Sequence, residues 1–150
     1  MRIVIQRVCE ASVRIDNEIV GQIDAGMMIL LGVEEEDNQS DADWLIQKVL
    51  GLRIFSDEEG KMNNSIAEIN GRFLVVSQFT LHASTKKGNR PSYIRAARPE
   101  QAIPLYEYFI HQLGTLSNTT IEKGKFGADM QVSLLNDGPV TIIIDSKSRE

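Results

Sequence analysis

Side chains able to act as nucleophiles or bases are scarce in this sequence, and the densest group of them is Ser77-Gln78-Phe79-Thr80, two hydroxyls and an amide in four positions. Catalysis by a hydroxyl needs a base within hydrogen-bond reach and usually a third group to orient that base. His82 stands two residues past Thr80, so on an extended strand both would share a face. It reads either as such a base or as a part-buried histidine closing a strand end. His111 falls opposite an apolar helical stripe and reads as solvated. Cys9, the single cysteine, lies among alternating apolar residues and reads as a buried, inert thiol. No His or Cys pair has metal-ligand spacing and the acids gather in runs that read as exposed, so no metal or cofactor is expected. Gly124-Lys125-Phe126-Gly127 lacks the residues of a phosphate-cradling loop, and no Gly-x-Gly-x-x-Gly occurs, which disfavours nucleotide hydrolases and dehydrogenases.

A second unusual stretch is Asn136-Asp137-Gly138-Pro139, set between two strongly apolar segments. Proline cannot donate to a strand ladder, so it marks an edge, a bulge or a turn, and a hairpin turn is the ordinary reading.

The elements that must hold these stretches are mostly strands. Residues 2–8, 11–15 and 18–23 alternate as strands do, with a hairpin turn predicted at Asp16-Asn17. Met27 to Val33 is a continuous apolar run of strand length, expected to be buried on both faces. Short strands are predicted at 53–55 and around 121, and longer ones at 73–81, 131–135 and 140–144. A helix is expected from about 40 to 51, opened by Ser40-Asp41-Ala42-Asp43, and another from about 99 to 113, stopped by Gly114. Pro104 requires the second helix to start near 101 or to bend. The class is therefore α+β: one domain, residues 1–150, with a mixed or antiparallel sheet curled toward a barrel and two covering helices.

A chain of 150 residues can bury roughly 70% of its unfolded surface without a disulfide or metal staple. With no apolar run of membrane-spanning length and no leader-like start, it is expected to be cytoplasmic. Its net charge of −5 argues by itself against a nucleic-acid partner. That total conceals a segregated distribution: Lys86, Lys87, Arg90, Arg95 and Arg98 lie in one acid-free segment, leaving 11 basic against 21 acidic residues elsewhere. The basic segment is either a solvated loop or a polyanion site.

Ser77-Gln78-Phe79-Thr80-Leu81 and Asn136-Asp137-Gly138-Pro139-Val140-Thr141 together resemble the two signature motifs of the D-aminoacyl-tRNA deacylases. The similarity extends through Gln6-Arg7-Val8, Ala11-Ser12-Val13, Leu52-Arg53-Ile54-Phe55, the segment Lys86 to Ser92, and Gly124 to Met130. Deacylases acting on L-alanyl-tRNA differ where Phe79 stands, so Phe79 places the resemblance on the D-specific side.

The resemblance implies a homodimeric barrel enzyme, a carboxylic ester hydrolase without cofactor, that frees D-amino acids, or glycine, from tRNA. It implies a cis Gly138-Pro139 peptide entering the partner's pocket, against the turn reading above. Ser77, Gln78, Phe79 and Thr80 would form the catalytic pocket, with Gly138, Pro139 and Met130 against the substrate. Two roles for Thr80 are open in such a family, nucleophile or support for catalysis assisted by the substrate's ribose 2′-hydroxyl. The lack of a strong base beside Thr80 favours the second. Lys86, Lys87 and Arg90 would meet tRNA phosphates, and neither DNA nor a membrane is expected as partner. A non-catalytic nucleic-acid-binding module and a synthetase-type editing domain are the competing readings.

Overall fold

The computed structural model describes all residues, Met1–Glu150. Its order is β1 (Arg2–Ile15), β2 (Glu18–Ile23), β3 (Gly26–Gly32), α1 (Gln39–Gly51), β4 (Phe55–Ser56), β5 (Met62–Asn64), β6 (Arg72–Ser77), a 3-10 turn (Phe79–His82), α2 (Pro99–Ser117), β7 (Ile121–Lys123) and β8 (Gln131–Asp145).

β1 organises the sheet because it is long enough to serve three partners. Its first half pairs antiparallel with β3, its second half with β2, and β8 runs antiparallel along nearly its whole length. β6 continues from β3 in parallel, and β7 from β6. The sheet then curls until β7 meets β2, where Gln22 N–H reaches the Glu122 carboxylate at 3.4 Å. A Cβ on Gly21 would stand 2.8 Å from the Lys123 carbonyl oxygen, so the absence of a side chain permits this near-closure. The expected α+β class, barrel-like sheet and two covering helices are thus found.

Two apolar clusters hold the layers together. Val8, Ala11, Val13, Ile23, Met28, Leu74 and Val76 fill the barrel interior. On the other side of the sheet, Leu45, Ile46 and Val49 of α1 and Tyr106, Phe109 and Leu113 of α2 pack on Ile3, Ile5, Ile29 and Phe73. β3 is buried on both faces, as its unbroken apolar run predicts. Each such large side chain contributes about 1.5–3 kcal/mol by leaving water.

Several boundaries differ from the sequence expectation. α1 is capped by Asn38, not Ser40: the Asn38 side chain accepts from Ser40 N–H at 2.9 Å, and Asp41 accepts from Asn38 N–H at 3.0 Å. α2 starts at Pro99 with Pro104 inside it on an exposed face, and passes through Gly114 to stop at Asn118, which adopts the left-handed conformation (φ 54°). β6 ends at Ser77, so Thr80 and His82 lie on a 3-10 turn instead of one strand face. Asp16 and Asn17 do take the positive φ of a two-residue hairpin turn.

The largest correction concerns Asn136–Pro139. There is no hairpin turn, and β8 passes straight through as one strand of 15 residues. Gln6 pairs with Thr141 and Val8 with Asn136, so Asp137 to Val140 bulge out opposite the single residue Arg7. The Gly138–Pro139 peptide within this bulge is cis. A smaller irregularity on β1 leaves Cys9 unpaired between Val8 and Glu10, and the thiol is exposed instead of buried.

Candidate active site

Where β6 ends, the chain is still tied to β3 through Gln78 N–H to Leu31 O at 2.8 Å, and it then folds into the 3-10 turn. This brings Ser77, Gln78 and Phe79 to the lip of a pocket of about 300 Å³. The floor is Leu31 and Val76, one wall is Ala102 and Tyr106 of α2, and the other is the segment Phe126 to Met130. Burial, with Glu107 adding to it, pushes the Tyr106 phenol far up, and its hydroxyl donates to Val75 O at 3.0 Å. Tyr106 therefore serves as a neutral strut, with Phe126 tilted against its ring at 5.8 Å. Met130 reaches the pocket across Gly124, where a Cβ would collide with its sulfur at 2.4 Å.

Thr80 is not among the lining residues; its hydroxyl accepts from the Gln78 amide. His82 turns away from the pocket. Its ring is fully buried against Gly32, neither ring nitrogen has a hydrogen-bond partner, and Nδ1 lies 3.9 Å from the Glu34 carboxylate. The geometry thus places no imidazole beside Thr80. His111 is exposed on α2.

Gly138 and Pro139 also lie outside this chain's own pocket lining and are exposed. They are held from behind by Arg7, whose Nη1 donates to Ile54 O at 2.6 Å and whose Nε donates to Asp137 O at 3.2 Å. Nε also lies 3.0 Å from the Asp137 carboxylate. Asn136 completes the bulge, accepting from Val140 N–H at 3.1 Å. Sequence reasoning gave Arg7 no role in the site; the available signal was a cation at the position that continues the apolar alternation of Ile3 and Ile5.

Lys86, Lys87 and Arg90 are exposed in a loop closed by paired backbone bonds between Ser84 and Ser92 (2.8 and 2.9 Å), and none of the three forms an ion pair. The acidic run is not simply an exposed face. Glu34, Asp37 and Asp41 are buried, and they pair with Arg95 at 2.7 Å, with the terminal ammonium, and with Lys147 at 2.9 Å respectively. No group of three or more His, Cys, Asp or Glu side chains is placed to hold a metal, and no helix is long and apolar enough to cross a membrane.

Residues 4–145 match the profile of the D-Tyr-tRNA(Tyr) deacylase family, which spans the pocket, the turn and the bulge. The chain belongs to this family. Proteins named D-aminoacyl-tRNA deacylase are 60% identical in Akkermansia muciniphila and 61% in Bacteroides fragilis, each over 150 residues and all of both chains. One from Cytophaga hutchinsonii is 62% identical over 147 residues, 98% of each chain. Among solved structures, the chain is similar to one titled c-Myc DNA Unwinding Element Binding Protein, with TM-score 0.92 and 42% identity over 97% of this chain and 98% of that one. The fold also matches a probable eukaryotic D-amino acid tRNA deacylase with TM-score 0.82 at 16% identity, covering 95% and 97%. Family membership carries the activity: this deacylase hydrolyses the ester of D-aminoacyl-tRNA.

Proposed function

We propose that residues 1–150 act as one deacylase domain in a cytoplasmic homodimer, and that each chain lends Gly138–Pro139 to its partner's pocket. The observation that carries this reading is the bulge itself, an exposed backbone projection braced by Arg7 that lies outside the lining of its own chain's site pocket. β8 also has an edge that no strand covers, and Leu135 and Ile143 are more than half exposed on it. A second copy is a natural cover for both.

Enantiomers carry the same groups, so a site can separate them only by where it leaves room. A fixed backbone wedge occupying the direction of an L side chain excludes L substrates and admits D ones. Glycine has no side chain to exclude, so glycyl-tRNA is accepted as well. Ser77, Gln78, Phe79 and Met130 then bound the space around the acyl group, and the backbone N–H groups of the turn are suited to the developing oxyanion.

The chemical step needs no side-chain nucleophile. The ribose 2′-hydroxyl orders a water that adds to the ester carbonyl. Collapse of the tetrahedral intermediate breaks the bond to the ribose 3′-oxygen, which takes up the proton and leaves as free tRNA with the D-amino acid. Supporting this, the Thr80 hydroxyl is engaged by Gln78 and His82 is buried away from the pocket. Lys86, Lys87 and Arg90 supply sequence-independent phosphate contacts.

The test is incubation of the purified protein with D-tyrosyl-, L-tyrosyl- and glycyl-tRNA, with its mass measured by light scattering. Cleavage of the D and glycyl esters by a dimer is expected; cleavage of the L ester at a similar rate would overturn the wedge. Because one similar structure is titled for DNA binding, labelled duplex DNA is included as a competitor, and no displacement of tRNA is expected.

A further inference from the structure

Beside the pocket lies a second one of about 370 Å³, to which the chemistry above gives no role. Phe79, Ala97 and Phe126 belong to both spaces, and the outer wall of the second is Tyr93 and Ile94. The Tyr93 ring stands edge-on to Phe79, with centroids 5.0 Å apart and planes at 72°. Ile94 is 81% exposed. An isoleucine and two aromatic rings turned to water at a pocket mouth form an apolar shelf with nothing on it.

The shelf is fixed in place. Ala96 N–H donates to Tyr93 O at 3.0 Å, Ala97 N–H to Val33 O at 2.9 Å and Glu35 N–H to Arg95 O at 3.2 Å. The Arg95 guanidinium is bonded to Glu34 at 2.7 Å, so this cation is occupied in holding the loop to the β3–α1 connection. Arg90 and Arg98 flank Tyr93 and Ile94 in the chain, Lys86 and Lys87 lie just before them, and none of these four forms an ion pair. Glu35 is the only acid lining the second pocket.

Exposed aromatic surface beside free cations is the chemistry of single-stranded nucleic acid, where bases stack and phosphates pair. We propose that the shelf binds the unpaired nucleotides immediately preceding the terminal aminoacyl-adenosine, with a base on Tyr93 and Ile94 and its phosphates toward Arg90, Arg98 and the two lysines. This rests on the reading that the aminoacyl-adenosine itself occupies the adjoining pocket. The shelf holds the strand in line with that pocket, so that phosphate contacts at the loop align the ester. A polypeptide partner without acidic side chains would bury the same apolar atoms but would leave four unpaired cations unanswered.

The experiment compares kcat/KM on D-tyrosyl-tRNA with kcat/KM on D-tyrosyl-adenosine, which lacks the preceding nucleotides. Loss of one stacked base corresponds to roughly a tenfold to hundredfold effect. Tyr93→Ala and Ile94→Ala are expected to lower the tRNA-to-adenosine ratio at least tenfold, mostly through KM for tRNA, and Tyr93→Phe to preserve the ratio. Ile94→Ala keeps the test valid if removing the Tyr93 ring disturbs Phe79, because so exposed a side chain contributes little to the fold. Equal losses on both substrates would overturn the shelf while leaving the neighbouring pocket intact as a reading. Failure of the unsubstituted protein to cleave D-tyrosyl-adenosine would overturn the pocket reading, and the shelf with it. A change of mass in Ile94→Asp would also overturn the proposal, by making this surface a contact between copies.

Discussion

Replacing Gly138 by alanine puts the bulge under direct test. The residue has φ +119°, a region that L side chains enter at a cost of about 1–3 kcal/mol. The new Cβ would lie 2.9 Å from Arg7 Nη2 and 3.0 Å from Val140 Cγ2. Arg7 has little freedom to withdraw, since its side chain is 10% exposed and its Nη1 and Nε are bonded to Ile54 O and Asp137 O. Losing one such charge-assisted bond costs about 1.5–3 kcal/mol. Together these give about 2.5–6 kcal/mol if the bulge keeps its shape. For a chain of this length that corresponds to a melting temperature lower by roughly 5–24 °C. If the bulge relaxes instead, the thermal cost shrinks but the wedge is displaced, and discrimination between D- and L-tyrosyl-tRNA falls. Thermal unfolding at fixed protein concentration, which a dimer requires, together with single-turnover deacylation of both esters, reads the two branches. A variant melting within about 1 °C of the unsubstituted protein, with an unchanged D-to-L ratio, would refute the reasoning.

Thr80→Ala is expected to keep substantial deacylation, and a substrate ending in 2′-deoxyadenosine to be cleaved slowly; complete loss of activity in Thr80→Ala would restore the threonine as nucleophile. Reversing Lys86 and Lys87 to glutamate is expected to weaken tRNA binding and reduce the slope of log affinity against log salt by about 2, and an unchanged slope would remove these residues from the interface. Stability is expected to fall in acid through Asp41 and Asp145. Burial opposes ionisation of Asp41, but Lys147, Ser146 and the Asn38 N–H outweigh it and hold the carboxyl below its ordinary value. Burial of Asp145 is likewise outweighed, by Lys147 N–H and Arg2. Carboxylates with depressed folded values stabilise fully above the unfolded value near about 3.9 and lose that contribution as pH falls through the lower folded one. Urea midpoints should therefore decline below about pH 4, and more shallowly in Asp41→Asn; parallel declines would show that Asp41 does not contribute.

Much of the fold was legible because hydrophobic period is a local property. The unbroken run Met27–Val33 identified a strand buried on both faces, and the stripe from Ala102 to Leu113 identified α2. Helix ends were less legible, since Asn38 and Ser40 both offer a capping side chain and only the position of the Asp41 carboxylate chose between them. Burial of charge was not legible at all. Glu34, Asp37 and Asp41 look like a solvated acidic run until Arg95, the terminal ammonium and Lys147 arrive from distant parts of the chain.

The sequence by itself determined the chemical repertoire: hydroxyls and an amide at residues 77–80, a Gly-Pro pair, a segregated basic segment, and only two histidines and one cysteine. Tertiary structure decided what those residues can do. Pairing with β1 turned Asn136–Pro139 from a hairpin turn into a braced bulge, because the bonds that hold it come from Arg7 and, through Arg7, from Ile54, 47 residues away from it. The end of β6 turned His82 away from Thr80, since residues two apart share a face only while the strand continues. Side-chain identity is written locally, but the direction in which a side chain or peptide points depends on partners that only the folded sheet brings together.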